Sequence, residues 1–288
     1  MNQTGTKPPR SCLVIGAGIV GSCCAWHLQS NGFDVTLLDR AEPGQSTSFG
    51  NAACLSPSQV VPFSHPGVWK KIPGWLSDPL GPLTIRWRHL PWVAPWLLGF
   101  LRASNMPAVN HSALAQAALM HRVIDDYHQL LEATGLTKLV QSRGALSIYD
   151  TVEAFEADRW KFELEAELGF DFRQLEAAEL NALAPELSLP GGVALMLPSW
   201  QHTLDPGALT AGIAQAAISE GARWQPGSVS RVEATPEGVS AQLEGGASVQ
   251  ADALVLAAGA WSNLIAAQLD YAVPMTAKRG YHSMIKDP

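Results

Sequence analysis

The sequence predicts an α/β fold: a doubly wound parallel sheet assembled from two distant stretches of chain, with a mixed α+β domain inserted between them. Three observations predict it. A strand, a glycine-rich turn, a helix and a second strand fill the first forty residues. A second uncharged strand runs into a small-residue turn at residues 253–262. Between them lie short strands and helices in no regular alternation, with a concentration of Pro and Trp.

Composition narrows the class. Of 288 residues, 47% are apolar and 16% charged, the profile of a folded chain and not a disordered one. The net charge of −7 favours solubility and leaves no basic stripe, so nucleic acid is not expected as a partner. The four cysteines, Cys12, Cys23, Cys24 and Cys54, form no CxxC pair, and the histidines stand at no metal-ligand spacing. No metal site is therefore expected. All four cysteines fall where the sequence reads as buried strand and helix, which makes them small hydrophobes and points to a reducing, cytoplasmic compartment. No Ser–His–Asp order, Walker-type loop or HExxH sequence occurs.

Cys12–Ile15 is a short apolar run of the kind buried in a parallel strand. Gly16-Ala17-Gly18-Ile19-Val20-Gly21 follows. Ile19, Val20, Cys23, Cys24 and Leu28 then supply the apolar positions of a helix that Asn31-Gly32 ends. Val35–Leu38 is the second strand, with Asp39 at its end. The stretch from Ser11 to Phe33 carries no charge and so imitates a signal peptide or a membrane span. Its polar second half, His27 to Gly32, and the strand behind it argue against both.

Each part of this unit has a physical task. Gly16 permits the tight strand-to-helix turn, Gly18 lets the backbone approach a pyrophosphate, and Gly21 lets the helix pack closely on the strands. The helix N-terminus offers free N–H groups and a partial positive charge to phosphates. Asp39 stands 18 residues beyond Gly21, where an acid accepts hydrogen bonds from ribose hydroxyls and repels a 2′-phosphate. The unit therefore reads as a Rossmann-like site for the ADP half of a dinucleotide. Pattern alone leaves FAD and NAD both open, and disfavours NADP.

The loop Pro43–Ala53 is rich in Gly, Ser and Asn, equally suited to closing around a phosphate or to an ordinary surface position. Residues 62–107 hold Trp69, Trp75, Trp87, Trp92 and Trp96. Leu90–Leu101 is strongly apolar but too short to span a bilayer. Packing between domains is its favoured reading. Lying at a membrane interface, with Arg86, Arg88 and Arg102 alongside, is the alternative. Residues 112–134 predict one helix, Gly144–Tyr149 a strand, and 151–168 a helix whose acids form a solvated face. Val193–Leu197 predicts a strand. Asp205-Pro206 opens a helix that stops at Gly221. Strands follow at Val229–Ala234, Val239–Leu243 and Ala253–Ala257, the last running through Ala258-Gly259-Ala260-Trp261 into another helical turn. The expected division is 1–62 with 202–270 for the dinucleotide domain, and 63–201 with 271–288 for the second domain.

Several of these segments together resemble the FAD-dependent amino-acid oxidoreductases of the D-amino-acid oxidase superfamily, and within it the bacterial D-amino-acid dehydrogenase small-subunit-like proteins. The residues that carry the likeness are Val14–Gly21 with Asp39-Arg40, Thr47–Ala52 with Leu55-Ser-Pro57, and Leu204–Leu209. Ala251–Ser262, Pro274 and Arg279-Gly-Tyr-His282 complete the set. The resemblance implies FAD as cofactor and a discontinuous FAD-binding domain. It implies that Arg40, Thr47, Ser48, Asn51 and Ala52 lie along the cofactor, that Val229 meets the adenine through its backbone, and that Ala258, Gly259 and Trp261 pass close to the dinucleotide. It sets Arg279, Tyr281 and His282 beside the substrate, although the family often has Lys-Gly-Tyr-Ser there. The implied reaction is oxidative deamination of an amino acid, a D-amino acid foremost, or of a related amine by hydride transfer to flavin. Electrons then pass to a quinone, a carrier or oxygen, in the cytoplasm or peripherally on the inner face of the cytoplasmic membrane. The family's final third is missing from this chain, so a catalytically inactive nucleotide-binding fragment is one alternative and an NAD-dependent dehydrogenase another.

Overall fold

A computed structural model describes residues 10–77, 87–275, 277 and 280. The chain divides into two compact units. One takes in the chain up to Cys54, Gln129–Gln141 and the chain from His202 onward; the other is Leu55–His128 and Ser142–Gln201.

In the first unit, β1 (Ser11–Ile15), α1 (Ile19–Ser30) and β2 (Asp34–Asp39) follow directly on one another. Far along the chain come α2 (Pro206–Ser219), β3 (Arg223–Pro226), β4 (Val229–Thr235), β5 (Gly238–Leu243), β6 (Ser248–Ala251) and β7 (Ala253–Leu256). Four strands make one sheet in the order β7-β1-β2-β3, parallel throughout, with Val14 opposite both Val255 and Leu37. Both faces are covered, which is why β1 and β2 are apolar without alternation. Cys12, Val14, Val35 and Leu37 pack against Ala25 of α1 and Ala214 and Ala217 of α2. Leu13, Ile15 and Leu38 pack on the other side against Val232, Val239, Ala241 and Leu243 of the antiparallel sheet β4-β5-β6.

The helix α1 departs from the apolar stripe read in its sequence. Its buried residues are Gly21, Ser22 and Ala25, whereas Val20 is 62% exposed. The cause is the closeness of helix to strand: a Cβ on Gly21 would overlap the carbonyl oxygen of Gly16, so small residues take the fully buried positions while Trp26 and Leu28 pack at the margin of the core. The fourth strand, β3, has no counterpart in the sequence reading. It is short, at the sheet edge, and carries Arg223, Gln225 and Pro226, residues that an edge tolerates.

The segment 129–141 was expected within the inserted stretch 63–201 and falls instead in the first unit. Leu136 covers Gly212 of α2, where a Cβ would stand 2.8 Å from its side chain. Val140 and Gln141 pair antiparallel with Thr203 and His202.

The second unit is built around three antiparallel strands, with Val193–Leu197 between Ala145–Tyr149 and Arg173–Gln174. Helix Val152–Glu167, capped by the Thr151 hydroxyl that accepts the Ala154 N–H at 3.1 Å, sets Phe155 and Phe162 against Leu195 and Leu197. Its acids are not all solvated as expected: burial pushes the Glu165 carboxyl up to about 7. The single helix expected over 112–134 is two, Met106–Met120 and Val123–Thr134, and at the break the His121 ring stacks on Phe170 at 4.9 Å. Helix Leu90–Ala103 has no buried residue. The cysteines also differ from expectation, since Cys54 is exposed and only Cys12 is fully buried. Among the described residues no helix is long and apolar enough to cross a membrane, and no group of three or more His, Cys, Asp or Glu could hold a metal ion.

Candidate functional site

A cleft of about 520 Å³ opens in the first unit at the carboxyl ends of β1, β2 and β7, within the roughly 300–1,000 Å³ usual for small-molecule sites. This is where the order of an open parallel sheet reverses, with β2 on one side of β1 and β7 on the other, and where such sheets bind ligands.

The turn that floors the cleft is fixed by backbone hydrogen bonds. Gly16 donates to the Leu38 carbonyl at 2.7 Å, and Ala257 donates to that of Ile15 at 2.8 Å. Gly16 has φ +110°, and a Cβ there would meet the Ala257 carbonyl carbon at 2.6 Å and the Ala258 nitrogen at 2.9 Å. Only glycine fits both conditions. A Cβ on Gly18 would meet just one protein atom, the Ser48 hydroxyl oxygen at 3.4 Å, so Gly18 keeps open space in the cleft where Gly16 and Gly21 permit packing beneath it.

Asp39 is held from two sides. Its Oδ2 accepts the Ala17 N–H at 2.7 Å and its Oδ1 the Ala41 N–H at 3.1 Å, while its carbonyl accepts the Gly227 N–H at 2.8 Å. A carboxylate has about four acceptor sites, so each oxygen keeps capacity for a ribose hydroxyl. Ser48 accepts the Ile19 N–H at 3.0 Å, satisfying the first amide of α1 and tying the Ser46–Ser48 wall to the helix. At the rim the Arg40 guanidinium lies 4.5 Å over the Trp261 ring. Val229, Leu264 and Ile265 give an apolar side.

Of the residues expected at a cofactor, the cleft brings together Gly16, Gly18, Ile19, Asp39, Arg40, Thr47, Ser48, Val229, Ala258, Gly259 and Trp261. Ala17 and Gly21 lie outside its lining, Ala17 holding Asp39 and Gly21 packing against Gly16. Asn51 and Ala52 do not line it either. Asn51 instead accepts the Ala53 N–H at 2.8 Å in a turn that sets Ala53 at φ +59°. Arg279, Tyr281 and His282 lie outside the described residues. Ser228, Glu244 and Gln268 line the cleft without having been singled out. Gln268 accepts the Val232 N–H at 2.8 Å, a tertiary bond with no local sequence signal.

The chemistry of this lining fits the ADP half of FAD. Gly18 leaves the backbone bare for a pyrophosphate, Asp39 offers acceptors for ribose, and Val229 with Leu264 and Ile265 offers an apolar side for adenine.

Residues 11–288 match the DAO family, described as FAD dependent oxidoreductase. The chain is 33% identical to a D-amino-acid oxidase of Bradyrhizobium diazoefficiens over 97% of its own length and 67% of that protein's. It is 32% identical to a D-amino acid dehydrogenase of the same organism over 93% of its length and 65% of that one's. It thus spans about two thirds of the length of these relatives. Among solved structures, glycine oxidase from Geobacillus kaustophilus shares the fold with a TM-score of 0.61 at 19% identity, over 91% of this chain and 58% of that one. The NAD-dependent alternative falls away with the family match, because this family uses FAD. The chain belongs to the DAO family of FAD-dependent oxidoreductases.

Proposed function

We propose that the protein is an FAD-dependent amino-acid dehydrogenase or oxidase acting on the CH–NH2 or CH–NH bond of an amino acid, foremost a D-amino acid, or of a related amine. The observation that carries this reading is the pairing of β7 with β1, which makes one cleft from Gly16–Gly18, Asp39 and Ala257–Gly259 in a chain of an FAD-dependent family. The two relatives named for D-amino acids support the substrate class. When bound, FAD supplies the acceptor for the hydride of the substrate's α-carbon, after which the imine product hydrolyses in water. The chain's own residues bind and orient: Gly18 and the start of α1 receive the pyrophosphate, Asp39 the ribose, and Arg40 with Trp261 closes the rim. Thr47 and Ser48 line the path toward the flavin.

On the substrate side Arg279, Tyr281 and His282 are proposed from sequence alone. Electrons leave for a quinone or a carrier in a dehydrogenase, or for oxygen in an oxidase. The four free cysteines support a reducing, cytoplasmic setting. The experiment incubates the purified full chain with FAD, removes unbound flavin, and records its absorption spectrum and its turnover of a panel of D- and L-amino acids with a dye acceptor. A yellow protein that oxidises D-amino acids supports the proposal. A yellow protein that oxidises none favours the nucleotide-binding fragment, and a colourless one overturns the cofactor assignment.

A further inference from the structure

Helix Leu90–Ala103 reads LPWVAPWLLGFLRA, and none of its residues is buried. A helix that is apolar all round its circumference belongs in a protein core or in lipid. Here Trp92 is 83% exposed and Leu98 54%, while Trp96, Val93 and Leu101 are also exposed. The Trp96 ring stacks on Phe100 at 5.4 Å. At fourteen residues the helix is about 21 Å long, short of the roughly 30 Å of a hydrocarbon core, so it can lie along a bilayer and not cross one.

The charge of the sequence on either side of it selects the surface. Between Glu42 and Asp125 the sequence holds six bases, Lys70, Lys71, Arg86, Arg88, Arg102 and Arg122, and one acid, Asp78. That is a local net charge of +5 in a chain whose total is −7. Two of the bases, Arg88 and Arg102, are exposed at opposite ends of the apolar helix. Tryptophan at headgroup level, flanked by bases and without acids, is the composition of an interfacial helix on anionic lipid. Another protein surface would also cover the apolar residues, but nothing in it requires bases at both ends and acids at neither.

We propose that helix Leu90–Ala103, flanked by Arg88 and Arg102, docks the protein onto an anionic lipid bilayer, lying in the plane of the headgroups with Trp92 and Trp96 inserted. The surface is independent of the reaction proposed above, and binding is read whether or not the protein turns over substrate.

The test is flotation of the flavin-loaded full chain, as its gene encodes it, with vesicles of phosphatidylcholine alone or mixed with phosphatidylglycerol. Binding is expected only to the mixed vesicles and is expected to fall as salt rises. Combining Arg88→Glu with Arg102→Glu should weaken it by roughly a hundredfold or more. Trp92→Ser with Trp96→Ser should weaken it by roughly tenfold or more, and should remove the part of the tryptophan fluorescence that brominated lipid quenches. Because these side chains are exposed, flavin content and circular dichroism should be unchanged in both variants, while Leu183→Ser, at another exposed apolar residue, should bind as wild type. Failure to float with mixed vesicles overturns the proposal, as does equal flotation with phosphatidylcholine alone. A lipid-independent dimer that the tryptophan variant abolishes, without vesicle binding, assigns the face to a second copy and overturns it too.

Discussion

The two units bury their chains by different means. In the first, four parallel strands covered on both faces bring Gly16, Gly18 and Asp39 to one cleft, and the positions of those residues are set by backbone approach. In the second, three short antiparallel strands rest under a helix held by Phe155 and Phe162, and a helix apolar but for Arg102 has no fully buried residue. Where backbone meets backbone, a single methyl group decides whether the structure forms. Where side chains meet side chains, several sequences could do the same task. The first unit should therefore respond sharply to small changes at glycine, the second gradually to changes of charge and volume.

The largest expected effect breaks the comparison at its strongest point. Gly16→Val forces a β-branched residue to φ +110°, which costs about 1–3 kcal/mol of strain. It also drives the side chain into the Ala257–Ala258 backbone, for about 1–3 kcal/mol more in overpacking. Flavin should be lost on gel filtration, while the circular dichroism of the second unit's helices persists. Gly18→Ala is the sharpening contrast: its Cβ meets only Ser48 at 3.4 Å, so the fold should survive while flavin binding weakens. If Gly16→Val keeps a full complement of flavin, the pyrophosphate does not sit at this turn.

Next in size is Asp39→Ala. It removes a charged acceptor from the Ala17 and Ala41 amides, each such bond contributing about 1.5–3 kcal/mol. Titrating the apoprotein with FAD should show affinity lower by roughly tenfold to a hundredfold. Unchanged affinity would reduce Asp39 to a strand-end acid with no part in the ribose site.

The same contrast explains what could be read from the sequence. Gly16, Gly18, Gly21 and Asp39 were legible because each meets a steric or hydrogen-bonding demand that recurs wherever a strand, a helix and a pyrophosphate converge. The pairing of β7 with β1 was half legible, through its apolar run and small-residue turn, although the register needed the structure. β3 was not, because an edge strand of four residues ending in Pro226 carries neither alternation nor an apolar run. Nor were Glu244 and Gln268, which reach the cleft from the turn after β5 and from the chain beyond β7 through tertiary folding alone. The loop residues Asn51 and Ala52 show the limit of motif reasoning: Thr47 and Ser48 of the same segment line the cleft, yet Asn51 spends its side chain on the Ala53 amide. The single helix over 112–134 failed at His121, where a stacked contact with Phe170 accompanies a break that periodicity cannot see.

A smaller effect probes the second unit through Glu165, whose carboxyl burial raises to about 7 from an ordinary 4.5, against the lowering influence of Lys161. The folded state therefore binds this proton more tightly than the unfolded chain. The stability it contributes is full below about pH 4.5 and is lost as pH rises through 7. Glu165→Gln removes the loss, so the variant should be more stable than wild type at pH 8. The gain should be on the order of 1–2 kcal/mol once partial solvent screening is allowed for, and it should shrink at pH 5. Denaturant unfolding at both pH values checks this; a difference independent of pH would mean that Glu165 acts through packing and not through its charge. Flavin affinity should be the same in the variant, which keeps the effect within the second unit.

The smallest expected effect returns to the rim of the cleft. Arg40 stacks on Trp261 at 4.5 Å, and both residues are open to solvent on one side, with Trp261 44% exposed. A cation–π pair at such a site contributes about 0.5–1 kcal/mol. Arg40→Ala should therefore weaken FAD by only roughly twofold to fivefold, and Trp261→Ala by about as much. The double variant should lose little more than either single one, because the two side chains act as one contact. Additive losses would show that each touches the cofactor separately. A loss as large as that of Asp39→Ala would move the recognition of the adenosine from the backbone-anchored acid to the stacked pair. Side-chain packing would then specify the ligand in the first unit as it specifies the fold in the second.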